Sequence, residues 1–358
     1  MGKIHNFSAG PSILPDTVFQ EASSALVDFN GLGLSLLEVS HRSSGFVDVM
    51  DSAVSLVKEL LEVPKGYSVV FLQGGASMQF AMVAMNLLRE EGSCGYINSG
   101  TWASKAIKEA KMIGDAKIIA SSEDANFNYI PKGYTVPTDL DYLHFTSNNT
   151  IFGTQFSSFP TCQVPLVADM SSDIFSRKIN VEDFGLIYAG AQKNMGPAGT
   201  TIAIVKDELL GKSGRNIPTM LDYQTHIDKG SMYNTPPVFS VYVSMLTLKW
   251  LKNKGGIGVI EKENIDKANL LYGEVDRNPL FVGTAVKEDR SLMNATFVLN
   301  DESLKDEFDK AIVEADINGL KGHRSVGGYR ASMYNAMPME SVEVLVDVMS
   351  NFASKYGN

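Results

Sequence analysis

The sequence predicts an α/β fold, with a large domain on a mainly parallel seven-stranded sheet followed by a smaller α+β domain. Three observations point there. Short apolar runs alternate with longer stretches of helical periodicity through most of the chain. Several runs are apolar on both faces, as strands covered by helices must be. The chain has 358 residues, enough for one large core and a smaller second one.

The elements follow in order. Helical periodicity covers residues 16–29 and 46–61. A strand over 68–72 leads into a helix over 77–89. A strand over 95–98 leads into a helix over 101–113, and a strand over 117–120 comes next. Strands over 142–145, 165–168, 186–189 and 200–205 complete the set. Such alternation implies right-handed crossovers between parallel strands. Pro236-Pro237 opens a long helix that closes near Lys254-Gly255-Gly256, with proline at the start and glycine past the end. The texture then changes to a helix over 257–272, a strand over 292–299, a helix over 303–314, a Gly-rich turn and a helix over 341–356. We expect a large domain over 16–255 and a small domain over 256–358, with the N-terminal segment 1–15 packed on the small one.

The chain is 44% hydrophobic and 20% charged, the composition of a globular protein rather than a disordered one. The net charge is −10, which argues against nucleic acid or an anionic membrane as main partner. Cys94 and Cys162 sit in or beside apolar stretches without a CxxC or a nearby His cluster. They read as reduced thiols of a cytoplasmic protein, with no metal site. Met1 to Phe7 lacks an apolar signal core, and no run approaches about 18 apolar residues.

Two runs carry the chemistry. Val164-Pro-Leu-Val-Ala-Asp169 ends in a lone carboxylate. Leu186-Ile-Tyr-Ala-Gly-Ala-Gln-Lys-Asn-Met-Gly196 ends in small residues around one lysine, Lys193. Ligands of open α/β sheets bind at the carboxyl ends of the strands. An acid and an amine delivered there suit pyridoxal 5′-phosphate (PLP), which needs a lysine to hold it and an acid for its ring nitrogen.

Other segments are weaker taken singly. Gln73-Gly-Gly-Ala-Ser77 follows a strand and opens a helix. It reads as a phosphate cradle or as a plain strand-to-helix turn, and it is not GxGxxG. Trp102, at the next strand's end, suits either stacking on a flat ring or burial in the core. Thr150 suits a hydrogen bond to a phenolic oxygen or a turn. His41-Arg42 and His323-Arg324, with Arg330, would make an anion pocket if brought together.

Together these segments resemble the phosphoserine aminotransferases, a family of the class V group of fold-type I PLP-dependent transferases. The resemblance covers the whole chain. It rests on Asn6-Phe-Ser-Ala-Gly-Pro-Ser-Ile-Leu-Pro15, Ser40-His-Arg42, Ala189-Gly-Ala-Gln-Lys-Asn194, Tyr233-Asn-Thr-Pro-Pro237 and Gly327-Gly-Tyr-Arg-Ala-Ser-Met-Tyr-Asn-Ala336. It implies that Lys193 holds PLP and moves the proton between the substrate α-carbon and the cofactor. It implies that Asp169 pairs with the ring nitrogen, Trp102 stacks on the ring and Thr150 meets its phenolic oxygen. Ala76, Ser77 and Gln192 would hold the cofactor phosphate. Asn234 and Thr235 would reach the phosphate of the neighbouring subunit's cofactor, which makes a homodimer part of the site. Arg330 would bind the α-carboxylate. His41, Arg42, His323 and Arg324 would bind a distal phosphate or the side-chain carboxylate of glutamate.

The activity so implied is ping-pong transamination between O-phospho-L-serine with 2-oxoglutarate and 3-phosphohydroxypyruvate with L-glutamate, in L-serine biosynthesis. Phosphohydroxythreonine of vitamin B6 synthesis is a second candidate substrate. The chain departs from some relatives in having Ser77 where they carry arginine, and Ser43-Ser-Gly-Phe46 where they carry a lysine. The competing readings are weaker. A cysteine desulfurase needs a nucleophilic cysteine near the small domain, an alanine–glyoxylate aminotransferase does not need the second His-Arg pair, and a silent PLP-binding protein has no need of Lys193, Asp169 and Arg330 together. A nicotinamide-dependent dehydrogenase would want a glycine fingerprint that is absent.

Overall fold

The computed structural model describes residues 4–357. Residues 1–3, at the head of the N-terminal segment expected on the small domain, and Asn358 lie outside the described residues.

The central sheet has seven strands: β2 (Tyr67–Leu72), β3 (Ser93–Asn98), β4 (Asp115–Ser121), β5 (Leu143–Thr146), β8 (Leu166–Asp169), β9 (Leu186–Gly190) and β10 (Thr201–Lys206). The shorter strands are β1 (His5–Asn6), β6 (Asn148–Asn149) and β7 (Thr154–Gln155). The sheet order is β2-β10-β9-β8-β5-β3-β4. Parallel ladders join β9 to β8, β8 to β5, β5 to β3 and β3 to β4. Only β10 runs backwards, antiparallel to both β9 and β2. Its connection explains this. The Gly- and Pro-rich segment 191–200 is too short for a parallel crossover, which needs a dozen residues or more.

Helices α1 (Asp16–Val27), α2 (Ser44–Leu60), α3 (Gly75–Leu87), α4 (Thr101–Ile113), α5 (Tyr223–Asp228) and α6 (Val238–Asn253) accompany this sheet. They bury it on both sides. One core joins α1, α2 and α6 to residues such as Phe71, Phe145 and Ile187. The other joins α3 and α4 to Val70, Tyr96 and Tyr188. Alternate residues of β2 thus face opposite cores, and all residues of β3, β8 and β9 are buried. That is why these strands read as apolar runs rather than as alternating ones.

A third core lies in the C-terminal part. It is built from α7 (Ile257–Arg277), α8 (Lys305–Glu314), α9 (Met339–Tyr356) and the antiparallel sheet β11 (Phe281–Gly283), β12 (Asn294–Leu299), β14 (Tyr329–Ser332). β1 pairs in parallel with β13 (Ile317–Asn318), and Phe7 enters this core fully buried. β14 lies where the sequence shows only a Gly-rich turn. It has four residues, one of them Arg330, and exists because β12 pairs with it from Asn294 to Phe297. α5, β11 and the two-residue strands are likewise unforeseen, and α7 runs five residues past the expected end at 272.

Gly153 joins the two regions. It sits at φ +73°, and its Cα has no room for a side chain, since an added Cβ would overlap the Thr296 hydroxyl and lie 3.0 Å from the Asn294 carbonyl. Gly153→Ala should therefore destabilise the protein by about 1–3 kcal/mol. Chemical denaturation checks this, and an unchanged midpoint would refute it.

Candidate active site

Because β2, β3, β5, β8 and β9 point one way, their carboxyl ends meet at one edge. Each delivers part of a cavity of about 310 Å³. After β2 come Gly75, Ala76 and Ser77 at the start of α3. After β3 comes Trp102, and after β5 come Asn148 and Thr150. β8 ends in Asp169, and after β9 come Gln192 and Lys193. His323 and Arg330 close the cavity from the C-terminal part.

Lys193 donates from Nζ to Thr150 Oγ1 at 2.8 Å, and Arg330 Nη1 donates to the Thr150 carbonyl at 3.4 Å. Burial pushes the Lys193 ammonium down to about 8. Asp169 and Asp173 resist that shift, and Arg330 adds to it. Asp169 is 4% exposed. Its Oδ1 accepts from the Ser171 N–H at 2.9 Å and from the Ser171 hydroxyl at 2.6 Å. Burial pushes its carboxyl up, against those bonds and the Lys193 charge. The acid and the amine are thus both moved toward neutrality by the same desolvation.

The cavity has the features a phosphorylated aromatic cofactor needs. Gly74, at φ +87°, caps α3 without a side-chain hydrogen bond, so the first N–H groups of that helix are free for an anion. Trp102 Nε1, Thr146 Oγ1 and Arg330 Nε are buried without a partner. These residues fit PLP.

Of the residues expected from sequence, Ala76, Ser77, Trp102, Thr150, Asp169, Gln192, Lys193, His323 and Arg330 line this one cavity. His41, Arg42, Arg324, Asn234 and Thr235 do not. Arg42 and Arg324 are exposed, and buried His41 Nε2 has no partner. Asn234 lines a separate cleft with Gln73 and Met78, while the Thr235 carbonyl accepts from Gln73 Nε2 at 2.9 Å.

Two contributors went unforeseen. Ser171 had a local signal, since an aspartate followed two residues on by serine favours an Asx turn. Ser12 had none. Its hydroxyl donates to the Lys193 carbonyl at 2.6 Å and its N–H to the Gln192 carbonyl at 3.0 Å, across 181 residues of sequence.

The model of the class-V aminotransferase family matches residues 4–345, and the chain belongs to that family. It is a PLP-dependent transaminase. Among similar proteins is the phosphoserine aminotransferase of Flavobacterium psychrophilum, 62% identical over 354 residues and covering 99% of both chains. Among solved structures, phosphoserine aminotransferase from Bacillus circulans subsp. alkalophilus is 46% identical with a TM-score of 0.95, over 99% of each chain. PLP-bound phosphoserine aminotransferase from Trichomonas vaginalis is 34% identical with a TM-score of 0.92, over 97% of this chain and 100% of that one.

In protein stripped of PLP, acetylation of Lys193 should follow a titration with its midpoint at about 8. The Asp169 charge favours the ammonium, so Asp169→Asn should move that midpoint lower. Competitive labelling read by mass spectrometry from about pH 6 to about pH 10 checks both. A midpoint near the ordinary lysine value would refute the first, and an upward shift the second.

Proposed function

We propose that the chain is a phosphoserine aminotransferase, moving an amino group from L-glutamate to 3-phosphohydroxypyruvate to give 2-oxoglutarate and O-phospho-L-serine, with the reverse reaction on the same groups. The observation that carries this is one cavity that gathers Lys193 and Asp169 with Arg330 and His323. The family and the names of its close relatives support the substrate pair.

Bound PLP supplies the electron sink that stabilises negative charge at the substrate α-carbon. The chain's residues do the rest. Lys193 holds the cofactor and, once released, takes the α-proton. Its lowered proton affinity keeps a usable share of free amine near neutral pH. Asp169 faces the ring nitrogen, where a cation would relieve the cost of its burial. Ser171 fixes the carboxylate's orientation. Trp102 covers the ring, Thr150 meets its phenolic oxygen, and Ala76, Ser77 and Gln192 hold the phosphate at the start of α3. Arg330 takes the α-carboxylate. His323 and Arg324, with His41 and Arg42, take the distal anion.

We assign His41, Arg42, Asn234 and Thr235 to the cavity of a second copy, so the working unit is a homodimer. They stay clear of their own cavity, and Leu32, Leu34 and Leu37 beside the His41-Arg42 pair are exposed at 56%, 47% and 65%. Apolar exposure of that kind marks an interaction surface. The same reading takes residues 16–255 as the cofactor-binding unit and 256–358 with 1–15 as the small domain, supported by the separate C-terminal core that Phe7 joins. It places the enzyme in the cytoplasm and in L-serine biosynthesis, with phosphohydroxythreonine as a further substrate to assay. Among the described residues no helix is long and apolar enough to cross a membrane.

The deciding experiment is a visible spectrum of the purified holoenzyme titrated with O-phosphoserine. The yellow cofactor band should bleach, and a band unmoved by phosphoserine but bleached by another amino donor would sink the substrate reading. Lys193→Ala should lower turnover by about 10²–10⁴-fold. Neutralising Arg42 and Arg324 together should raise the substrate requirement far more than it weakens PLP retention, and equal losses would refute their assignment. Mixing that double variant with Lys193→Ala should restore part of the activity through hybrid dimers, whereas additive inactivity would argue against a shared site.

A further inference from the structure

One cation beside the cavity has no part in the reading above. Lys105 stands on α4, one turn after Trp102, and its Nζ lies 4.6 Å from the centre of the Trp102 ring. Trp102 and His323 both line the cavity. After burial, the charges that push the His323 imidazole down are those of Arg330, Arg324 and Lys105. The charges of Arg330, Arg324 and Lys105 thus all act on one histidine that lines the site. Among the described residues, none of the three is within ion-pair distance of a carboxylate. This is a chain with 41 acidic and 31 basic residues, so carboxylates are not scarce. Like charges held together without counterions are stabilised when an anion arrives among them.

We propose that Lys105 is a specificity-determining residue that meets the distal phosphate of the substrate and favours it over the distal carboxylate of glutamate. The inference rests on the transaminase reading with two anionic substrates. A phosphate monoester carries about −1.5 to −2 charge near pH 7 and a carboxylate about −1, so each added cation favours the phosphate more. Lysine suits this because its compact charge rides a flexible stem. Its resting place over the half-buried Trp102 ring, with the ammonium itself exposed, costs only about 0.5–1 kcal/mol to leave. Arg330, half-buried and bonded to the Thr150 carbonyl, has no such freedom.

The test uses holoenzyme carrying Lys105→Met or Lys105→Arg, on an exposed position that keeps the fold. Lys105→Met should raise KM for O-phosphoserine about five- to tenfold and KM for glutamate less than about twofold. The loss should fall on KM rather than kcat, and Lys105→Arg should recover most of it. Inorganic phosphate, as a competitor against glutamate, should inhibit Lys105→Met about fivefold more weakly than the unmodified enzyme. Equal changes in both KM values, no change in either, or a displaced cofactor band would overturn the proposal. If the unmodified enzyme does not turn over O-phosphoserine, the substrate reading has failed, and phosphate inhibition still decides whether Lys105 binds a phosphate.

Discussion

Strand direction is the constraint from which the site follows. β3, β5, β8 and β9 lie side by side and parallel, with Thr146 opposite Asp169 and Asp169 opposite Tyr188 across the ladders. A parallel arrangement leaves every carboxyl end on one edge, so five connections of different length bring their first residues to one place. Reversing β8 or β9 would carry Asp169 or Lys193 to the far edge. The reversed β10 is tolerated because it contributes no functional residue and starts at that edge only to close the lysine-bearing turn.

At that edge, burial sets the chemistry. Desolvation moves the Asp169 carboxyl up and the Lys193 ammonium down, each partly held back by the other's charge. His144 behind them is driven down by burial to about 3, so it stays neutral and hydrogen-bonds Tyr188 at 2.8 Å. A cationic ring nitrogen would offset the cost of burying the Asp169 carboxylate, and an anionic phosphate would meet the uncapped start of α3.

How much of this was legible in the sequence depends on how local the cause was. Strands buried on both faces announce themselves as apolar runs, and a charged residue ending such a run stands out, which is why Asp169 and Lys193 could be read directly. α4 begins and ends where its periodicity does, at Thr101 and Ile113. β14 could not be read, because four residues interrupted by Arg330 have no period and gain their structure from β12. α5, with six residues, is shorter than any periodic pattern can reveal. Ser12 was invisible for the same reason in a stronger form, since its partners are fixed only once both ends of the chain are folded. His41 and Arg42 read well as an anion-binding pair, yet one chain does not bring them to the cavity.

The distance from Arg330 to Lys193 decides whether one small molecule can meet both, and it is set by a junction of backbone and buried polar groups beside them. β14 carries Arg330 and runs into the turn 333–337. Lys267 of α7, only 1% exposed, donates to the Met333, Tyr334 and Met337 carbonyls at 3.3, 2.9 and 3.2 Å. Asn335 in that turn donates its N–H to Asn194 Oδ1 at 2.9 Å, next to Lys193, and its side chain bonds the Phe175 carbonyl and Asn264. Tyr334 donates to the Ala9 carbonyl at 2.7 Å, and Ser12 three residues on holds the Lys193 carbonyl. The turn that follows Arg330 is therefore tied to the lysine-bearing turn from two sides. A buried lysine among carbonyls, with its proton affinity lowered by burial to about 7, is costly to maintain. What it secures is a fixed link between the strand that carries Arg330 and the turn that carries Lys193.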